Sequence, residues 1–210
     1  MFRTHVHVAR RGKLTQDRRL LLLVTLSACA LPACAMRIEP PANPQDPVPV
    51  VVADYGYHLS LILPSTSGGS VEFAYGWWDW FALNHDRWYN ALPLLLLPGK
   101  GALGTRTLPC PPSDRGLKQH VAAEGWHELN VEREKAARVR DELQAQYDSA
   151  RPTEVYNPVV GLYLVHHRRL YTLTHNCNSA VAEWLEALGA RVSAGRSIAN
   201  VDLRPVQPPR

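Results

Sequence analysis

The sequence predicts an α+β fold, a small antiparallel sheet with helices packed on it. Three observations carry that prediction. Apolar, β-branched runs at residues 48–53, 57–63 and 71–75 are separated by turn-forming residues, the pattern of short strands that double back on one another. Residues 132–150 place apolar side chains at helical spacing. A second helix follows Asn176 and stops at Gly189, and its apolar face begins at a cysteine.

The chain has 210 residues, 46% of them hydrophobic and 20% charged, which suits one domain with a sizeable core. Its first residues read differently. Arg10, Arg11, Lys13, Arg18 and Arg19 form a basic region, Leu20 to Leu26 a short apolar run, and Ser27-Ala28-Cys29 a small-residue end. That order is a secretory signal, and the apolar run is too short to span a bilayer. Leu26-Ser27-Ala28-Cys29 resembles the lipobox of bacterial lipoproteins, in which the cysteine is lipidated and becomes the first mature residue. Leu31-Pro32-Ala33-Cys34 is a second, poorer candidate because of Pro32, and an uncleaved anchor or a signal cut after a small residue is the competing reading. Ala30 rather than Asp after Cys29 implies, by that resemblance, retention at the outer membrane. The expected organisation is a signal at 1–28, a Pro-rich tether at 29–47, a folded domain at 48–200 and a disordered tail at 201–210. The membrane is then a partner through the N-terminal lipid, and the domain faces the periplasm.

Residues 1–28 hold six of the 23 basic side chains and one of the 19 acidic, so the rest carries 17 basic and 18 acidic, a net of −1. The sequence pI near 9.0 is therefore a property of the signal. No nucleic-acid partner is expected, because phosphate binding needs a basic surface. Of the four cysteines, Cys34 and Cys110 are left for a bridge that nothing in the sequence supports. There is no CxxC pair, and His166 and His167 alternate across a strand, so no structural metal or other cofactor is expected.

Along the chain, Arg37 to Pro49 carries five prolines and reads as an extended tether. Val48 to Ala53 is a buried strand, ended by Asp54-Tyr55-Gly56. Tyr57 to Leu63 is the next; His58, Ser60 and Ile62 share one face, and Tyr57, Leu59, Leu61 and Leu63 the other. Val71 to Tyr75 pairs with it as a hairpin, which lets Glu72 fold back towards His58 and hold its ring. Gly76 to Asn90 packs four tryptophans, Phe81 and Tyr89 into fifteen residues, either a core cap, an aromatic lip around an apolar or sugar-bearing substrate, or a surface touching the bilayer. Lys100 to Gly116 is rich in Gly and Pro and reads as loop with one strand near Thr105 to Leu108. Trp126 to Val131 is a further strand, and the helix after it is capped by Asn130 and buries Ala136, Val139, Leu143 and Tyr147.

The last helix carries the chemistry. Cys177, Val181, Trp184, Leu185 and Leu188 recur at helical spacing, so the cysteine points inward at a helix N-terminus. Unpaired N–H groups and the helix dipole there favour thiolate and suit a substrate oxyanion. The competing reading is a small core residue at a strand-to-helix junction.

The words GYHLSLILP at 56–64, VEFAYGWWD at 71–79 and THNCNSAVAEWLEALG at 174–189 resemble the circularly permuted branch of the papain-like superfamily, which includes relatives of NlpC-type cell-wall peptidases and of lecithin:retinol acyltransferase. They are most similar to a bacterial family often encoded near urease genes. The resemblance covers about residues 48–200 and departs from the pattern at Gly76-Trp77-Trp78-Asp79 and after the cysteine. It implies Cys177 as nucleophile, His58 as general base and Glu72 as the residue orienting His58, with Tyr57, Trp77, Trp78 and Asn176 around the substrate. The expected activity is hydrolysis or acyl transfer at an amide or ester bond, with peptidoglycan peptides and lipid acyl chains as candidate substrates and no cofactor. The alternatives are an envelope lipoprotein that binds a partner or lipid through the same pocket without catalysis, and a metal held by His58, Glu72 and His175.

Overall fold

The computed structural model describes residues 35–85, 97–193, 195 and 201–203. The chain divides into Met1–Cys34 and Ala35–Arg210. The signal, the lipobox cysteine Cys29 and Cys34 lie outside the described residues, and every element below belongs to the second unit.

Ten strands and four helices are described. The strands are β1 (Met36–Glu39), β2 (Pro47–Asp54), β3 (Leu59–Pro64), β4 (Ser70–Trp77), β5 (Gly99–Leu108), β6 (Gly125–Glu132), β7 (Val155–Asn157), β8 (Leu162–Tyr171), β9 (Arg191–Ser193) and β10 (Val201–Leu203). The helices are α1 (Trp78–Phe81), α2 (Asp114–Leu117), α3 (Arg133–Ser149) and α4 (Cys177–Ala187). Seven strands form one antiparallel sheet in the order β6-β2-β3-β4-β5-β8-β7, and β10-β1-β9 form a separate three-stranded sheet. The fold is α+β, with a larger sheet than the sequence suggests.

Both faces of the sheet are covered, which is why β2 and β3 read as near-continuous apolar runs. On the first face, Val50, Val52, Leu59, Leu61, Leu63 and Phe73 pack against Val139 and Leu143 of α3 and Val181 and Leu185 of α4. On the second, Val51, Ala53 and Ile62 pack with Leu108, Leu117 and Val121. Ala74, Ala102, Leu162 and Leu164 extend that face under Trp78 and Ala82. The alternation fixes the register: Ile62 opposes Glu72, and Glu72 opposes Arg106.

Four expectations are corrected. Met36 and Ile38 are fully buried in β1, paired with β9 and β10, so the fold begins inside the stretch that reads as tether. The short alternation Met36-Arg37-Ile38-Glu39 is overshadowed in the sequence by the prolines after it. At the other end, β10 shows that the fold reaches beyond residue 200. The strand expected near Thr105 to Leu108 extends back through the Gly-rich stretch that reads as loop, as the ten-residue β5 inside the sheet. Its glycines are there for space: a Cβ on Gly99 would meet the Trp77 indole nitrogen, and one on Gly101 would meet the Arg169 carbonyl. Finally, α3 is preceded by Glu132 with no side-chain cap, and Asn130 pairs with Pro49 in β6.

Candidate active site

A cavity of about 680 Å³ opens where β3 begins and β4 ends. Its wall holds Tyr57, His58, Glu72, Trp77 and Cys177 together with Tyr55, Arg106 and Tyr171. Five of the residues singled out in the sequence therefore meet in one place.

His58 is placed by a tight turn rather than by a strand, since β3 starts one residue later. The Asp54 carboxylate accepts from the Gly56 N–H at 2.8 Å, Gly56 takes a positive φ of 84°, and the Tyr55 N–H donates to the His58 carbonyl at 2.9 Å. The ring lies 4.8 Å from that of Phe81 and 6.0 Å from that of Tyr55. Its Nε2 is buried and has no hydrogen-bond partner among the described residues. Burial pushes the ring's pKa down to about 4, so His58 is neutral at physiological pH.

Cys177 is the first residue of α4 and is 6% exposed. Its thiol donates to the Tyr57 carbonyl at 3.9 Å and to Asn178 Oδ1 at 3.5 Å, and shares a 3.8 Å contact with the Tyr171 hydroxyl. Burial pushes the thiol's pKa up; the Tyr171 hydroxyl and nearby backbone N–H groups pull the other way without winning. This corrects the expectation that the helix N-terminus leaves a resting thiolate: desolvation of the charged form outweighs the dipole at this depth. No hydrogen bond joins the sulfur to the His58 ring, so the cavity wall holds a thiol and a neutral imidazole that are not bonded to one another.

Glu72 does not hold His58. Its Oε1 accepts from the Tyr55 hydroxyl and the Ser60 hydroxyl, each at 2.6 Å, and its Oε2 from Arg106 Nε at 2.5 Å. Arg106 Nη2 also donates to the Tyr55 oxygen at 3.0 Å. The cause is register: Arg106 stands directly across from Glu72, and Ser60 on β3 lies on the same face, so both reach the carboxylate. Burial, and after it the charge of Glu72, keep the Tyr55 hydroxyl protonated well above the ordinary range.

Two expected substrate residues fall elsewhere. Trp78, the first residue of α1, is 9% exposed and turned into the core, its ring 4.2 Å from that of His166. Asn176 is the cap of α4: its side-chain oxygen accepts from the N–H groups of Asn178 and Ser179 at 3.1 Å, and Ser179 Oγ accepts the Asn176 N–H at 2.8 Å. Trp77 does line the cavity and stacks on Trp80 at 6.5 Å, while Tyr57 is 95% exposed at its mouth. His175 Nδ1 lies 3.6 Å from Glu183, and among the described residues no group of three or more His, Cys, Asp or Glu side chains is gathered to hold a metal. Cys110 is a free thiol.

Tyr171, Tyr55 and Arg106 are site residues that the sequence does not mark. Tyr171 reads there only as part of a short strand over Leu170, Tyr171, Leu173 and Thr174; β8 ends at Tyr171, six residues before Cys177, and the bend at residues 173–176 folds its hydroxyl back onto the sulfur. Arg106 reads there only as a residue of the short strand near Thr105 to Leu108, with nothing to pair it with Glu72. No protein-family model matches this chain, and neither the curated proteins nor the solved structures include a match.

Proposed function

We propose that the chain is a thiol hydrolase or acyltransferase with a permuted papain-like fold, tethered to the outer membrane through lipid on Cys29 and working in the periplasm. The observation that carries this reading is a cysteine at a capped helix start and a neutral, unpartnered histidine nitrogen in the wall of one cavity. Cys177 attacks the carbonyl carbon of an ester or amide while its proton passes to His58; the sulfur–carbon bond forms and the Cys177 N–H helps to hold the oxyanion. The imidazolium then gives that proton to the departing alcohol or amine, leaving an acyl thioester on Cys177. Water, or a second acceptor, takes the acyl group in the same way in reverse. The Sγ contacts of 3.5–3.9 Å are weak enough for an incoming substrate to replace, and such contacts commonly tighten only when substrate binds.

Turnover of a panel of esters and amides by the purified protein tests this. Cys177→Ala and His58→Ala each lower it by more than ~10³-fold. Turnover that survives Cys177→Ala rejects the proposal. Binding of a ligand in the cavity with no turnover of any substrate favours the non-catalytic lipoprotein, a reading supported by the buried, protonated state of Cys177.

A further inference from the structure

The charged pair of this cavity and the hydroxyls on it are spoken for, and among the described residues His58 Nε2 and Trp77 Nε1 are the buried side-chain atoms of its wall left without a partner. Both Glu72 oxygens are used by Tyr55, Ser60 and Arg106. Arg106 is turned inward by the same contacts, with Nη1 on the Val160 carbonyl at 3.5 Å. Two such atoms match one ester or amide group; a peptide entering here would leave most of its further N–H and C=O groups without partners, and each buried amide left that way is strongly disfavoured. Apart from Tyr57 and His120, the rest of the wall is mainly apolar: Trp77, Trp80, Phe81, Val160 and Leu162 face the space. Its volume of about 680 Å³ falls within the roughly 300–1,000 Å³ of sites that enclose a whole small ligand.

We infer that the cavity takes a straight acyl chain, with the carbonyl at Cys177 and the tail lying along Trp77, Trp80 and Phe81, so that the substrate is a lipid-type ester or thioester rather than a peptide. This rests on the reading of the cavity as the substrate site. Nothing in it requires a charged headgroup to be recognised inside, because the ion pair Glu72–Arg106 is closed on itself. Selectivity is set by chain length and not by hydrogen bonding.

The test uses full-length Cys177→Ala protein, so that binding is read without chemistry. Straight-chain fatty acids from butanoate to dodecanoate, and an acetylated tripeptide with ionised side chains, are titrated against the fluorescence of the cavity tryptophans. The expected result is a Kd that falls roughly fourfold per methylene until the tail is enclosed, with no saturable binding of the tripeptide. Trp80→Ala, at a residue 38% exposed and so tolerant of substitution, weakens dodecanoate about tenfold more than it weakens butanoate. A Kd independent of chain length, or tighter binding of the tripeptide than of dodecanoate, overturns the inference. The two proposals fail separately. A chain-length series without any Cys177-dependent turnover keeps the acyl site and removes the enzyme, whereas Cys177-dependent turnover of amides with no chain-length effect does the reverse.

Discussion

Two polar clusters share one cavity and are built in opposite ways. Around Glu72 every contact is short: 2.5–2.6 Å to Arg106, Tyr55 and Ser60, with the carboxylate 1% exposed. Around Cys177 and His58 the contacts are long or missing: 3.5–3.9 Å at the sulfur and none at His58 Nε2. A buried charge persists only when its partners are complete, so the first cluster is a fixed part of the wall. A buried nitrogen without a partner carries a standing cost, and it keeps its hydrogen-bonding capacity for something that is not yet there. The acid that the sequence assigns to the reactive group thus belongs to the scaffold, and the two roles are separable by experiment.

The largest expected effect comes from opening the closed cluster. Glu72→Ala strands the Arg106 charge and two hydroxyls, and urea unfolding should show a loss of about 3 kcal/mol, near the low end for a buried pair because Arg106 keeps some contact with water. If Glu72 were instead only an orienting group for His58, the variant would lose activity at nearly unchanged stability. His58 gives the next effect. A ring with a pKa of about 4 in the fold and near 6.5 unfolded contributes stability that is complete above pH 6.5 and lost as pH falls towards 4. Across that window the wild type should lose up to about 3 kcal/mol more than His58→Gln, since the unfolded chain binds the extra proton. The other histidines shifted the same way cancel in the difference. Smallest is Asn176→Ala, which removes the cap of α4 and should cost about 1 kcal/mol in stability. A change confined to KM would return Asn176 to the substrate.

The same contrast explains what is legible in the sequence. Alternation and helical spacing make β2, β3, β4, β6, α3 and α4 readable, because each buries one regular stripe or an unbroken apolar run. Only the end of β5 is, near Thr105 to Leu108, since Gly99, Gly101 and Gly104 look like loop punctuation and their reason, the approach of Trp77, Arg169 and Leu162, comes from distant segments. The site is half legible. Cys177, His58 and Glu72 are marked by residue type and position, and they do line one cavity. Which of them touch is not, because Arg106 arrives opposite Glu72 only through a pairing set 34 residues downstream. The thiol's ionisation escapes the sequence for the same reason: the helix start is local, but the burial that outweighs it is tertiary.

Intact-mass spectrometry of the protein after brief exposure to a medium-chain acyl thioester tests the central claim most directly. The account predicts a single acyl adduct that maps to Cys177, is slowed by more than ~10³-fold in His58→Ala, and is absent in Cys177→Ala, with the folded state intact in both. An adduct on Cys110 instead, or acylation of Cys177 that proceeds equally well without the His58 imidazole, would contradict it.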